Sequence, residues 1–185
     1  MINNFNRKWP RNFMDETTLK WSRKSVDPRI LGWQIQPDTS WLPGYSEEVI
    51  QDMERFLSWP LPFDVKTLLR ATSGLDKPQV HLGTHIKEDQ KYKNQWMLTL
   101  ENIQNIRDWF LAYNNKEIYA AIREDEIVLP FDHHEYLFLP VYAHRCVACR
   151  KSDLDSSAVL SISGSDVVQY GENLQTYLEN EFLMK

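Results

Sequence analysis

The sequence predicts an α+β fold, a single domain with a mainly antiparallel sheet and helices packed against it. Three observations carry this expectation. Amphipathic helical stripes fill the middle of the chain, at residues 46–69 and 99–111, and strand-like runs follow from residue 118 to 170. A further helical stripe closes the chain, and no βαβ alternation appears, so the order favours antiparallel pairing. An apolar content of 42% with seven Trp supplies enough side-chain volume for one core in 185 residues.

Residues 1–45 read as an irregular, Trp-rich extension packed on the domain. Trp9, Trp21, Trp33 and Trp41 are interrupted by Pro10, Pro28, Pro37 and Pro43, without a clean period of 2 or 3.6. The domain proper is read as 46–185. Ser46 is a helix cap with Glu47 and Glu48 in the first turn, where carboxylates suit the helix dipole. Val49, Ile50, Met53, Phe56 and Leu57 fall on one face, and Pro60 and Pro62 stop the helix. A second helix starts at Pro62 or Phe63, buries Val65, Leu68 and Leu69, and has Gly74 as terminator.

Val80 and Leu82 alternate weakly, and Lys87 to Lys93 reads as a solvated charge run. Thr99 caps a helix carrying Leu100, Ile103, Ile106, Phe110 and Leu111, flanked by Trp109. Ile118, Ala120 and Ile122 form a half-buried strand, Glu124-Asp125-Glu126 a turn, and Ile127 to Leu129 the next strand. Tyr136–Val141 and His144–Ala148 are further strands, with Pro140 at an edge or bulge. Val159–Ile162 and Val167–Tyr170 form a hairpin around Ser163-Gly164-Ser165. Leu174, Tyr177, Leu178 and Phe182 mark the closing helix.

Composition narrows the function. A net charge of −5 disfavours a nucleic-acid binder, which usually carries a basic stripe. No run reaches the ~18 apolar residues of a membrane span, and the start has no signal-peptide pattern. The expectation is a cytoplasmic protein with neither nucleic acid nor membrane as partner.

Chemistry-bearing residues gather near Cys146 and Cys149. The Cys146-x-x-Cys149 pair offers two thiolates, and His144 with His133 or His134 would complete a tetrahedral zinc set. A structural ribbon normally adds a second tight pair. On a regular strand His144 and Cys146 share a face while Cys149 lies on the other. Small core residues are the preferred reading of both cysteines. His144 and Cys146 are too close in sequence to orient as a nucleophile dyad. The six glycines are scattered, so no phosphate-cradling loop emerges. No enzyme and no cofactor are expected.

The order of motifs is more telling. A helix at Glu47–Leu57 precedes Leu61-Pro62-Phe63-Asp64-Val65-Lys66, which leads into Leu68, Leu69 and Gly74. Then come Leu139-Pro140-Val141-Tyr142-Ala143-His144-Arg145, Val159-Leu160-Ser161-Ile162, Asp166 to Gly171, and Leu174-x-x-Tyr177-Leu178-x-x-Glu181-Phe182. Over residues 46 to 183 this resembles the SUKH superfamily, which unites fungal Smi/Knr cell-wall regulators with bacterial immunity proteins of polymorphic toxin systems. The signature residues are Pro62, Asp64, His144, Arg145, Asp166, Tyr170 and Gly171.

The resemblance implies a non-enzymatic protein-binding domain that neutralises a cognate toxin, often a nuclease. Glu47, Glu48, Asp52, Glu124, Asp125 and Glu126 are the candidate carboxylates for a basic partner face. His144 and Gly171 are read as structural, Gly171 through a positive φ, Asp166 as fixing a turn, and Arg145 as structural or partner-facing. The first rival is a regulatory scaffold in the style of the fungal members. The second is a zinc-binding domain or metal-dependent enzyme built on His133, His134, His144, Cys146 and Cys149. The long Trp-rich start and the cysteine pair depart from the family pattern.

Overall fold

Helices and strands, all pairings antiparallel among the described residues, are packed around one continuous apolar core in the computed structural model, which describes residues 9–83, 87, 90–103, 136–151, 158–163 and 166–184. The helix positions Ile106, Trp109, Phe110 and Leu111, the strands read at Ile118–Ile122 and Ile127–Leu129, and Glu124, Asp125, Glu126, His133, His134 and Gly164 lie outside the described residues.

Helix α1 spans Trp9–Ser22 and corrects the expectation of an irregular start. Trp9, Phe13, Thr17 and Trp21 recur every four residues, and all four are buried. Pro10 sits in the first turn, where its missing N–H costs no helical hydrogen bond. Thr17 Oγ1 donates to the Phe13 carbonyl at 2.8 Å and accepts the Trp41 indole N–H at 2.8 Å. The helix is thereby tied to β2, Trp41–Pro43, while the two-residue strand β1, Trp33–Gln34, lies between them in sequence.

Helix α2, Glu47–Leu57, begins as its sequence dictates. Ser46 is extended at the N-cap, and its hydroxyl accepts from the Val49 amide. At the other end Ser58 adopts the left-handed conformation (φ 51°), and the Ser58 and Trp59 amides donate to the Arg55 and Glu54 carbonyls at 3.2 Å. Ile50 and Met53 are fully buried, but Phe56 is 36% exposed, so the apolar stripe is narrower than its sequence pattern. Glu54 Oε1 accepts from the Leu61 amide at 2.8 Å and from Lys66 Nζ at 3.1 Å, joining the end of α2 to α3, Phe63–Ala71.

Helix α3 ends at Ala71 and runs straight into β3, Thr72–Leu75, so Gly74 is a strand residue and not a helix terminator. Its glycine is required for another reason. Its φ is +142°, and a Cβ there would lie 2.9 Å from Trp96 Cδ1. β3 pairs with β2, and β1 pairs with β4, Gln79–His81, which pairs with β5, Tyr92–Lys93. Residues 100–103 are helical, with Thr99 Oγ1 accepting from the Asn102 amide as a cap.

The main sheet has the order β6-β7-β8-β9: Tyr136–Tyr142, Arg145–Arg150, Val159–Ser163 and Asp166–Gly171. Every residue of β6 and the inner four of β7 are buried, so both faces of this half of the sheet are covered. The ladder shifts register between Pro140 and Tyr142, the bulge that a proline inside a strand calls for. Ala143 (φ 50°) and His144 make the β6–β7 turn, so His144 is a turn residue and the strand starts at Arg145. Asn173 caps α4, Leu174–Glu179, by accepting the Thr176 amide at 2.8 Å, and a π-helical turn, Asn180–Met184, carries Phe182 into the core.

Phe182 is where the ends of the fold meet. Its ring centroid lies 5.1 Å from Tyr142, 5.8 Å from Trp21, 6.0 Å from Trp41 and 6.3 Å from Phe13. Lys20 Nζ adds a 2.9 Å bond to the Leu183 carbonyl. Residues 9–45 are therefore part of the common core through Trp9, Phe13, Trp21 and Ile35.

Candidate partner-binding surfaces

Two surfaces hold the residues singled out by sequence. The first is the outer face of α2. Glu47, Glu48, Gln51 and Asp52 are all exposed, held in place by the Ser46 cap and the Ser58 terminus. Two of the three carboxylates are oriented by neighbours. Arg70 engages Glu47 through Nε and Nη2, the latter at 3.0 Å, and Arg55 pairs with Asp52 one turn along. The Arg70 contact holds the Glu47 carboxyl below its usual range and lifts the Arg70 guanidinium. Such exposed pairs are screened by water and add little stability, so their main effect is to fix orientation.

At the C-terminal end of α2 the face opens into a groove of about 470 Å³, lined by Gln51, Glu54, Arg55, Ser58, Trp59 and Pro60. The Trp59 ring forms one wall, with Lys151 Nζ 5.6 Å from its centroid. This groove was not visible in the sequence. The αL terminus beside it falls on a serine rather than the glycine that usually announces a helix end.

The second surface gathers the signature residues of the main sheet. Arg145 on β7 stands opposite Ser161 on β8, which stands opposite Val168 on β9. Reaching across that register, the Arg145 guanidinium lies 4.1 Å from the centroid of Tyr170. Its Nη1 lies against Nε2 of His144. Partial burial and the Arg145 charge both push the His144 pKa down, opposed by Glu181. Burial, reinforced by Glu181, pushes the phenols of Tyr142 and Tyr177 up.

The remaining signature residues serve the frame. Asp64 is fully buried in the first turn of α3, where Oδ1 accepts from the Val65 amide at 2.8 Å. Pro62 occupies the N-cap position and its carbonyl accepts from Lys66 at 3.0 Å. Gly171 does not adopt a positive φ, which corrects the conformational reading. It is needed for close approach, since a Cβ there would lie 2.8 Å from Tyr177 Cβ. Asp166 is exposed at the start of β9, opposite Ser163.

The cysteines occupy the sheet interior. Cys146 pairs with Pro140 and Leu160, whereas Cys149, three residues on, pairs with Leu137 from the opposite face. Both are buried and free. Burial pushes the Cys146 thiol up to about 12 and Cys149 well above the ordinary value. Two sulfurs on opposite faces of one strand cannot converge on one ion without a break in that strand, and β7 runs unbroken between them. Among the described residues no group of three His, Cys, Asp or Glu side chains is placed to hold a metal. Among the described residues, too, no helix is long and apolar enough to cross a membrane.

No protein-family model matches the chain, and no match to it is found among the curated proteins or the solved structures. The class that the geometry defines is a single α+β domain with antiparallel sheets and helices packed on them.

Proposed function

We propose that the chain is a non-enzymatic protein-binding domain of the immunity type, acting in the cytoplasm to neutralise a cognate toxin by direct contact. The resemblance of its motif order to the SUKH superfamily supports this reading. The observation that carries it is the outer face of α2, where Glu47, Glu48, Gln51 and Asp52 stand exposed on a helix fixed at both ends, beside the Trp59 groove. A basic partner, such as a nuclease face, meets oriented carboxylates at the ridge and can seat an apolar or aromatic side chain in the groove. Inhibition then follows from occlusion of the toxin's own site.

The test is co-expression with toxin domains encoded beside its gene, read as growth. Rescue by the wild type, with measurable complex formation in vitro, is expected. Glu48→Lys combined with Asp52→Lys should slow association and flatten its salt dependence, since rim charges act chiefly on the on-rate. Rescue and affinity unchanged by that pair would move the interface off α2. If no neighbouring toxin is neutralised and pull-downs return housekeeping partners instead, the scaffold reading replaces this one.

A further inference from the structure

We infer that the outer edge of β9 is a self-association site, where β9 of a second copy pairs antiparallel to form one continuous eight-stranded sheet. On one side β9 is hydrogen-bonded to β8, and among the described residues no strand pairs with its other side. The exposure pattern marks that side as open. Val167 is buried, yet Gln169, two residues on and on the same face, is exposed, as are Asp166, Val168 and Tyr170. A strand flanked on both sides would cover the inward-facing Gln169.

Natural edges are usually blunted by Lys, Pro or inward charges. The strand at the opposite side, β6, is covered there by residues 95–97, which bridge Tyr142 and bond Val141 and Ala143, and it also carries Pro140 and a bulge. Asp166-Val-Val-Gln-Tyr-Gly171 has neither Lys nor Pro, and its Val-Val-Gln-Tyr run favours extended pairing. Its single bulge falls late, at Tyr170, leaving Asp166 to Gln169 in regular register.

The charges identify the occupant. A two-fold axis at Val168 sets Val168 against its own counterpart and Asp166 against Tyr170 of the second copy. Arg145 lies over that Tyr170, and it makes no ion pair among the described residues. Its buried Nε also has no acceptor there. Asp166 likewise makes no ion pair among them. One symmetric contact therefore satisfies both groups twice, Asp166 of each copy meeting Arg145 of the other. An unrelated extended peptide would have to supply that carboxylate in the same register.

The experiment is sedimentation velocity of the full chain across a concentration series. The wild type should show a monomer–dimer equilibrium. Val168→Lys, at an exposed position, should weaken the dimer by more than about tenfold while leaving the monomer's melting transition in place. Asp166→Arg should do the same, and adding Arg145→Asp should restore association. A wild type that stays monomeric at every concentration overturns the inference. So does a dimer that Val168→Lys leaves unchanged, or a charge exchange that fails to restore association in folded protein.

Discussion

Replacing Phe182 with Ala tests whether the two ends of the chain share one core. Phe182 is 4% exposed, and its ring touches aromatic partners from α1, β2 and β6. Removing a buried phenylalanine costs about 3–5 kcal/mol, through lost transfer energy and the cavity left behind. Aromatic pairs contribute roughly 0.5–1.5 kcal/mol each beyond area, so a site with four such partners belongs in the upper half of that range. At about 4 kcal/mol the melting temperature of a chain this long should fall by about 8–16 °C. Native stabilities of about 5–15 kcal/mol leave the variant mostly folded at room temperature. Urea unfolding followed by Trp fluorescence is the assay, because Trp21 and Trp41 flank the deleted ring. One transition is expected, with a lower midpoint and an unchanged slope. Phe182→Leu, which keeps most of the volume, should cost less than half as much. A loss under about 1 kcal/mol, well below the core range, would refute the reasoning. So would an early, separate transition of the N-terminal tryptophans, since either result means the helix at Trp9–Ser22 is not part of the common core.

Three further outcomes follow from local geometry. Gly74→Ala should destabilise by more than about 1 kcal/mol, because a positive φ and the Trp96 ring both oppose a Cβ; thermal melting reads it directly. Ser58→Gly should stabilise by about 1 kcal/mol by relieving the left-handed conformation at the end of α2; an unchanged or lower melting temperature would contradict that. Cys146 and Cys149 should resist an aromatic disulfide reagent in native protein and react together on unfolding. Their folded values are raised, so the neutral thiols are favoured by the fold, and stability should decline as pH rises past 9.0, the ordinary thiol value. Rapid labelling of two thiols in the native state would show the sheet interior to be open.

What could be read from sequence was what neighbours in the chain decide. Ser46 with Glu47 and Glu48 is a helix start whatever surrounds it, and Pro62 before α3 and the Val159–Tyr170 hairpin are equally local. The helix at Trp9–Ser22 also carried its signal, in the four-residue spacing of Trp9, Phe13, Thr17 and Trp21. That signal is obscured by the polar Thr17 and by Pro10, a residue that breaks a helix anywhere but in its first turn. The glycines failed for a different reason. Gly74 and Gly171 are set by Trp96 and Tyr177, partners that only the folded chain brings close. The same holds for the candidate surfaces. The α2 carboxylates could be placed from periodicity, but their arginine partners, the Trp59 groove and the Arg145–Tyr170 stack depend on contacts across elements or strands.

The aromatic junction at Phe182 also sets a schedule. Lys20 and Leu183, joined by a hydrogen bond, are 163 residues apart. On the ribosome, at about 5–20 residues per second, α1 would wait for roughly ten to thirty seconds before its closing partner exists. Trp9, Phe13, Trp21 and Trp41 must spend that interval with part of their apolar surface uncovered. The chain should therefore complete this core only once Phe182 and Leu183 have left the ribosome, and until then it is a natural client for chaperones that shield nascent aromatic segments.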